Sequence, residues 1–219
     1  MPKSSRRTFL QGIAGSWALS TLPVAAHDSL LSSLVYRASQ VNEHEGRPCG
    51  AVEVYASGSR SVVQRQLLSL SATDPRGLTI SPDGRFLVVA AYGGGIYNVL
   101  PIQPDGTLGG VSGIFKELGS GSHPVYQTSA HPHSVIFDPT GRFLLSSDLG
   151  CDRLSVFTLD PSGKLTRYSY VQLKSGSGPG AMELNAELLS VQHQLTNTCR
   201  PYRFNPATGI ISAADSLGD

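Results

Sequence analysis

Short apolar runs bounded by turn formers recur along the chain, and no run keeps a helical period over about ten residues between caps. Leu78-Thr79-Ile80 reads as a short strand ending at a Pro82-Asp83-Gly84 turn. Phe86 to Ala90 follows without polar alternation, which predicts a strand buried on both faces. Ile96 to Ile102 is a third strand, closed by Pro104-Asp105-Gly106, and a fourth runs from Leu108 towards Lys116. The same order returns downstream in Val135-Ile136-Phe137-Asp138-Pro139-Thr140-Gly141-Arg142-Phe143-Leu144-Leu145. Gly84 maps to Gly141, and Gly106 to Gly163, at one offset of 57 residues. Two turns holding one spacing point to duplication. The offset places Phe86 and Phe143 in equivalent strands, both predicted to be buried between neighbouring sheets.

Two fainter units flank these. Pro201 to Ile210 repeats the closing strand and turn, but Gly209 follows Gly163 by only 46 residues. Its Pro-x-Gly turn is missing, since Asn185 runs directly into Ala186-Glu187-Leu188. Upstream, Val35 to Val41 and Ala51 to Tyr55 fit two strands of a partial unit. Four antiparallel strands per repeat of this length predict an all-β propeller. At 57 residues per blade, the chain after residue 26 holds between three and four blades. Propellers close with about four to eight, so the expected array is incomplete. Its open blade edges invite self-association.

The first 26 residues read differently. Ser5-Arg6-Arg7-Thr8-Phe9-Leu10 precedes a short apolar stretch from Gly12 to Leu22, and Val24-Ala25-Ala26 supplies small residues for cleavage. That is the layout of a signal peptide, and the paired arginines are those of a twin-arginine export signal. The domain expectation is therefore a leader over 1–26 and a partial propeller over 27–219, in the periplasm or secreted, with no membrane association after cleavage. Lys+Arg 17 against Asp+Glu 16 provides no basic field for nucleic acid. Cys49, Cys151 and Cys199 form no Cys-x-x-Cys, and all three are expected to be buried small apolar residues. Gly93-Gly94-Gly95 precedes no helix and reads as a tight strand connection, so no cofactor is implied.

Ala130-His131-Pro132-His133-Ser134, followed by Asp148-Leu149-Gly150-Cys151-Asp152-Arg153, resembles the lactonase family of seven-bladed propellers, which includes 6-phosphogluconolactonases and carboxymuconate cyclases. Asn42-Glu43-His44-Glu45-Gly46, Tyr92-Gly93-Gly94-Gly95 and Gly178-Pro179 fit the same resemblance. It implies a propeller of which about half is absent, and a centre built from a histidine, two arginines and a glutamate. Arginine or histidine stabilises the charge that a lactone carbonyl gains on attack, and a carboxylate or imidazole moves the proton. His133 matches the family histidine. The first arginine position is Gly180, the following histidine is Ala181, and the glutamate position is Gln194. The implied function is hydrolysis of a sugar lactone such as 6-phosphogluconolactone, with impaired activity. The alternatives are a non-catalytic fragment that binds a small molecule or protein, and a decayed reading frame.

Five residues carry the expected site. His133 is the candidate acid/base. His131 stands two residues away, on the same side of an extended segment, as a substrate contact. A backbone-bonding role for both remains open, as does metal ligation with His123. Asp148 and Arg153 flank the end of the Phe143-to-Ser147 strand. Asp148 contacts substrate or stabilises a turn, and Arg153 contacts substrate or pairs with Asp152 or Asp148. The repeat places Ala91, His193 and Asn42 at positions equivalent to Asp148, one strand end per blade. Glu43 is the fifth residue, a further substrate-binding candidate.

Overall fold

A computed structural model describes residues 19–21, 34–44, 47–56, 61–69 and 72–214. Every regular element among them is a strand, and the sixteen strands form four four-stranded sheets. The first sheet holds β1 (Leu19–Thr21), β2 (Leu34–His44), β3 (Arg47–Ala56) and β4 (Val62–Leu67). The second holds β5 (Pro75–Ile80), β6 (Phe86–Ala91), β7 (Ile96–Pro101) and β8 (Gly113–Lys116). The third holds β9 (Pro132–Phe137), β10 (Leu144–Asp148), β11 (Arg153–Leu159) and β12 (Leu165–Gln172). The fourth holds β13 (Pro179–Asn185), β14 (Leu188–His193), β15 (Thr198–Asn205) and β16 (Ile210–Ala213). Each sheet is an antiparallel meander in chain order, which is a propeller blade. The first strands of successive blades, β5, β9 and β13, lie side by side.

The duplication is visible in the hydrogen bonds. Ser81 Oγ accepts the Phe86 N–H at 3.0 Å, and Asp138 Oδ1 accepts the Phe143 N–H at 2.7 Å. Those bonds hold each inner turn against the start of the second strand. All six residues of β6 are buried, because this strand has a neighbouring blade on both faces. Phe86 packs with Val88, Tyr97, Leu144 and Phe157 between the second and third blades. Phe143 packs with Leu145, Val156, Leu189 and Phe204 between the third and fourth. A turn glycine seats against each ring: a Cβ on Gly163 would come within 3.2 Å of Phe86, and one on Gly209 within 2.6 Å of Phe143.

The fourth blade is complete despite its short repeat. Asn185 pairs with Leu188, so Ala186-Glu187 makes a two-residue turn where the other blades use a longer one. Ala186 takes φ 52° to do so, a left-handed conformation that normally falls to glycine. Leu19–Thr21, inside the stretch read as a leader, pairs with β2 as the first strand of its blade. Arg6, Arg7, the Val24-Ala25-Ala26 cleavage site and the rest of 1–26 lie outside the described residues. Cys49 and Cys151 are buried as expected, whereas Cys199 is exposed. Its strand β15 has an open face, where no blade among the described residues covers it.

Candidate functional site

One register recurs in three blades. Pro75 pairs with Ala91, Pro132 with Asp148 and Pro179 with His193. The equivalence of Ala91, Asp148 and His193 read from the repeat is thus a structural one. Beside each of these pairs the ladder slips, between Pro75 and Gly77, between Ser147 and Asp148, and between Pro179 and Met182. Bulges re-aim side chains at the ends of strands. Here they govern Arg76, His133 and Gly180, each the residue after the proline on a first strand. Gly77 lets β5 and β9 approach closely, because a Cβ there would come within 2.8 Å of the His133 carbonyl oxygen.

His133 and Gln194 meet. The Gln194 amide nitrogen lies 2.9 Å from His133 Nε2, so in this orientation the amide donates and the imidazole carries its proton on Nδ1. Nδ1 is buried without a partner among the described residues. Burial is the main cause that pushes the His133 pKa down to about 4, with Arg76 adding to it, so the ring is neutral near pH 7. Gly180 adjoins the same pair, since a Cβ on it would come within 2.5 Å of the Gln194 side chain. His133, Gly180 and Gln194, three of the positions singled out by the resemblance, are therefore contiguous in space.

His131 joins them through Tyr92. Its ring stacks on Tyr92 at 4.3 Å and 11°, and its Nδ1 lies 2.9 Å from the Tyr92 carbonyl oxygen. His133 meets the same ring edge-on at 6.2 Å. Arg76, which the sequence reading passed over, lies 3.7 Å from the centre of the Tyr92 ring and pairs with Asp74 at 2.8 Å. The signal was available: the offset that maps Gly84 to Gly141 also maps Arg76 to His133.

Asp148 is buried beneath this group. Its Oδ1 accepts the N–H groups of His131 and Cys151, both at 2.9 Å, which fixes the His131 backbone and the turn after β10. Burial pushes its pKa up to about 6. Arg153 points elsewhere. It pairs with neither Asp148 nor Asp152 but with Glu117 of the second blade at 2.9 Å. Asp152 instead accepts the Gly176 and Gly178 N–H groups, both at 2.7 Å. Glu43 belongs to β2, and its side chain lies outside the described residues. His123 Nδ1 accepts the N–H groups of Val125 and Tyr126 at 3.2 Å, so it organises its own loop.

The model of the family described as "Lactonase, 7-bladed beta-propeller" matches residues 33–217. The 6-phosphogluconolactonase of Bacillus subtilis is 27% identical over 155 residues, which cover 70% of this chain and 43% of that protein. The solved periplasmic gluconolactonase of Pseudomonas aeruginosa is 26% identical, with a TM-score of 0.71 over 83% of this chain and 53% of that one. The chain thus spans less than half the length of its Bacillus relative.

Proposed function

Because this chain belongs to the lactonase family of seven-bladed β-propellers, we propose that the cluster at the bulged strand ends binds a sugar lactone and hydrolyses it slowly. A lactone of the 6-phosphogluconolactone type is the class the named relatives support. The observation that carries this reading is the His133–Gln194 contact at 2.9 Å beside Gly180. In this scheme His133 takes a proton from water as the water adds to the ring carbonyl. The acyl–oxygen bond then opens, and the departing alkoxide takes that proton back from the imidazolium. A neutral imidazole suits the first role. Its Nε2 lone pair, however, is held by the Gln194 amide, and glutamine cannot relay a proton as a carboxylate does. Gly180 offers no donor to the developing oxyanion. General acid–base help alone contributes about 10²–10⁴-fold, and one missing oxyanion donor removes about 10²–10³. Binding with slow turnover is the consequence.

The setting we propose is the periplasm. The Arg6-Arg7 leader supports it, as does the periplasmic relative from Pseudomonas aeruginosa. The test is lactone hydrolysis by the full chain beside His133→Ala and the double variant Gly180→Arg/Gln194→Glu. Slow turnover should vanish in the first and rise by about 10²-fold or more in the second. Turnover that His133→Ala leaves unchanged would sink the proposal.

A further inference from the structure

Arg76 is a cation for which the proposed hydrolysis has no role. It follows Pro75 at the bulged start of β5, as His133 follows Pro132 and Gly180 follows Pro179. Asp74 engages Nε at 2.9 Å and Nη2 at 2.8 Å, both through a single carboxylate oxygen. A guanidinium has several further N–H donors, and those on Nη1 meet no protein group among the described residues. The side chain is 31% exposed, so its free edge is open to a ligand.

Its orientation is fixed in advance. Arg76 lies 3.7 Å from the Tyr92 ring centre, and His131 stacks on that ring at 4.3 Å. Two flat groups at these distances cannot share one face, so Tyr92 is held between them. The Tyr92 N–H donates to the Asp74 carbonyl at 3.0 Å, which ties the backbone that carries the ring to the backbone that carries the carboxylate. Asp74 itself has φ 48°, a left-handed conformation that persists where the surroundings over-determine it, often at ligand clamps. The effect of Arg76 on His133 exceeds the opposing one of Asp74, so the pair presents a positive field towards the imidazole. Gly180 leaves the fourth blade without a cation at the same level, and the second blade supplies one.

We infer that Arg76 is the anion-binding residue of this site: its free Nη1 edge receives a phosphate or carboxylate of the ligand, with Asp74 and Tyr92 as positioning residues. The inference rests on the reading of this cluster as a sugar-lactone site and adds which residue holds the ligand's anionic group. A fork held flat against an aromatic ring suits the bidentate geometry of either anion.

The experiment is calorimetric titration of the full chain with glucose 6-phosphate, gluconate and 6-phosphogluconate, which separates phosphate from carboxylate recognition. We expect 6-phosphogluconate and at least one singly functionalised probe to bind. Arg76→Gln should weaken them roughly 10–100-fold, the effect of a charge-assisted hydrogen bond. Asp74→Asn should tighten them about two- to five-fold, because a competing carboxylate is removed. Binding of none of the three, or unchanged affinity in Arg76→Gln, overturns the inference. If Arg76→Gln does not fold, Asp74→Asn decides, and unchanged affinity there overturns it equally. Lactone turnover is followed in parallel. Arg76-dependent binding without turnover in the unaltered chain keeps this assignment and sinks the hydrolase reading. Turnover with an unchanged KM for a phosphorylated lactone in Arg76→Gln does the reverse.

Discussion

Replacing Glu117 by glutamine should loosen the joint between the second and third blades. Glu117 follows β8 and is 2% exposed. Its carboxylate bonds Arg153 at 2.9 Å and also Arg167, both from the third blade. The arginine side chains are only 18% and 24% exposed, and the Nε atoms of both are already buried without partners. Arg153 further covers Tyr170 at 5.0 Å, and Arg167 covers Phe115 at 5.1 Å. A glutamine keeps one acceptor oxygen but turns an amide N–H pair towards a guanidinium. Two buried cations then lose their counter-charge. Breaking such a buried pair costs about 3–5 kcal/mol. The partial exposure of the arginines favours the lower end, about 3 kcal/mol. With an m-value on the order of 2–3 kcal/mol/M in urea, the unfolding midpoint of the full chain should fall by about 1–1.5 M. Replacing all three groups by apolar residues of similar volume should be near neutral, since the desolvation cost leaves with the charges. A midpoint shift in Glu117→Gln equivalent to less than about 1 kcal/mol would refute the reasoning. Arg153→Met should lower stability in the same assay yet leave 6-phosphogluconate affinity unchanged, which separates a blade latch from a substrate contact.

Two further outcomes are expected. The His133 pKa, about 4 in the folded chain against an ordinary 6.5, makes the native state resist a proton that the unfolded chain accepts. Stability should therefore be lost as pH falls from about 6.5 towards 4, by on the order of 3 kcal/mol from this group. Asp148, raised to about 6, works in the opposite sense and loses stability as pH rises through the same window. Urea unfolding at pH 4.5 and 7 should show His133→Gln gaining on the unaltered chain upon acidification, and parallel pH dependence would contradict the assignment. Replacing Arg6 and Arg7 by lysine should stop export of the chain, and a variant that still reaches the periplasm by the twin-arginine route would defeat the leader reading.

The repeat was legible because the turns that set it are chemical. Gly84 and Gly141 take φ 72° and 75°, and Gly106 and Gly163 take 81° and 90°, so glycine marks each turn. The fourth blade was faint for the same reason in reverse: Ala186 fills a left-handed position that carries no glycine to mark it. His133 was legible from its motif, but two neighbours were not. Arg153 stands next to Asp152 in sequence, and such adjacency reads as a pair. Asp152, however, is a turn residue with φ 50°, and β11 begins only at Arg153, so the two side chains do not share a strand. Asp152 accordingly caps the loop at Gly176–Gly178, while Arg153 crosses to Glu117, a partner 36 positions away.

Arg76 was obscured by the opposite habit, that of looking for the family's chemistry only in the family's positions. Gly180 is empty of charge, yet it is one of three equivalent places at bulged strand starts. The blade geometry sets where a side chain is aimed, and it does so alike for Arg76, His133 and Gly180. Which of the three carries the cation is left to the residue type. Under the assignment proposed for Arg76, the second blade supplies a cation that Gly180 in the fourth cannot. For this site the ring of post-proline residues is the unit to inspect, in place of the single aligned column at Gly180.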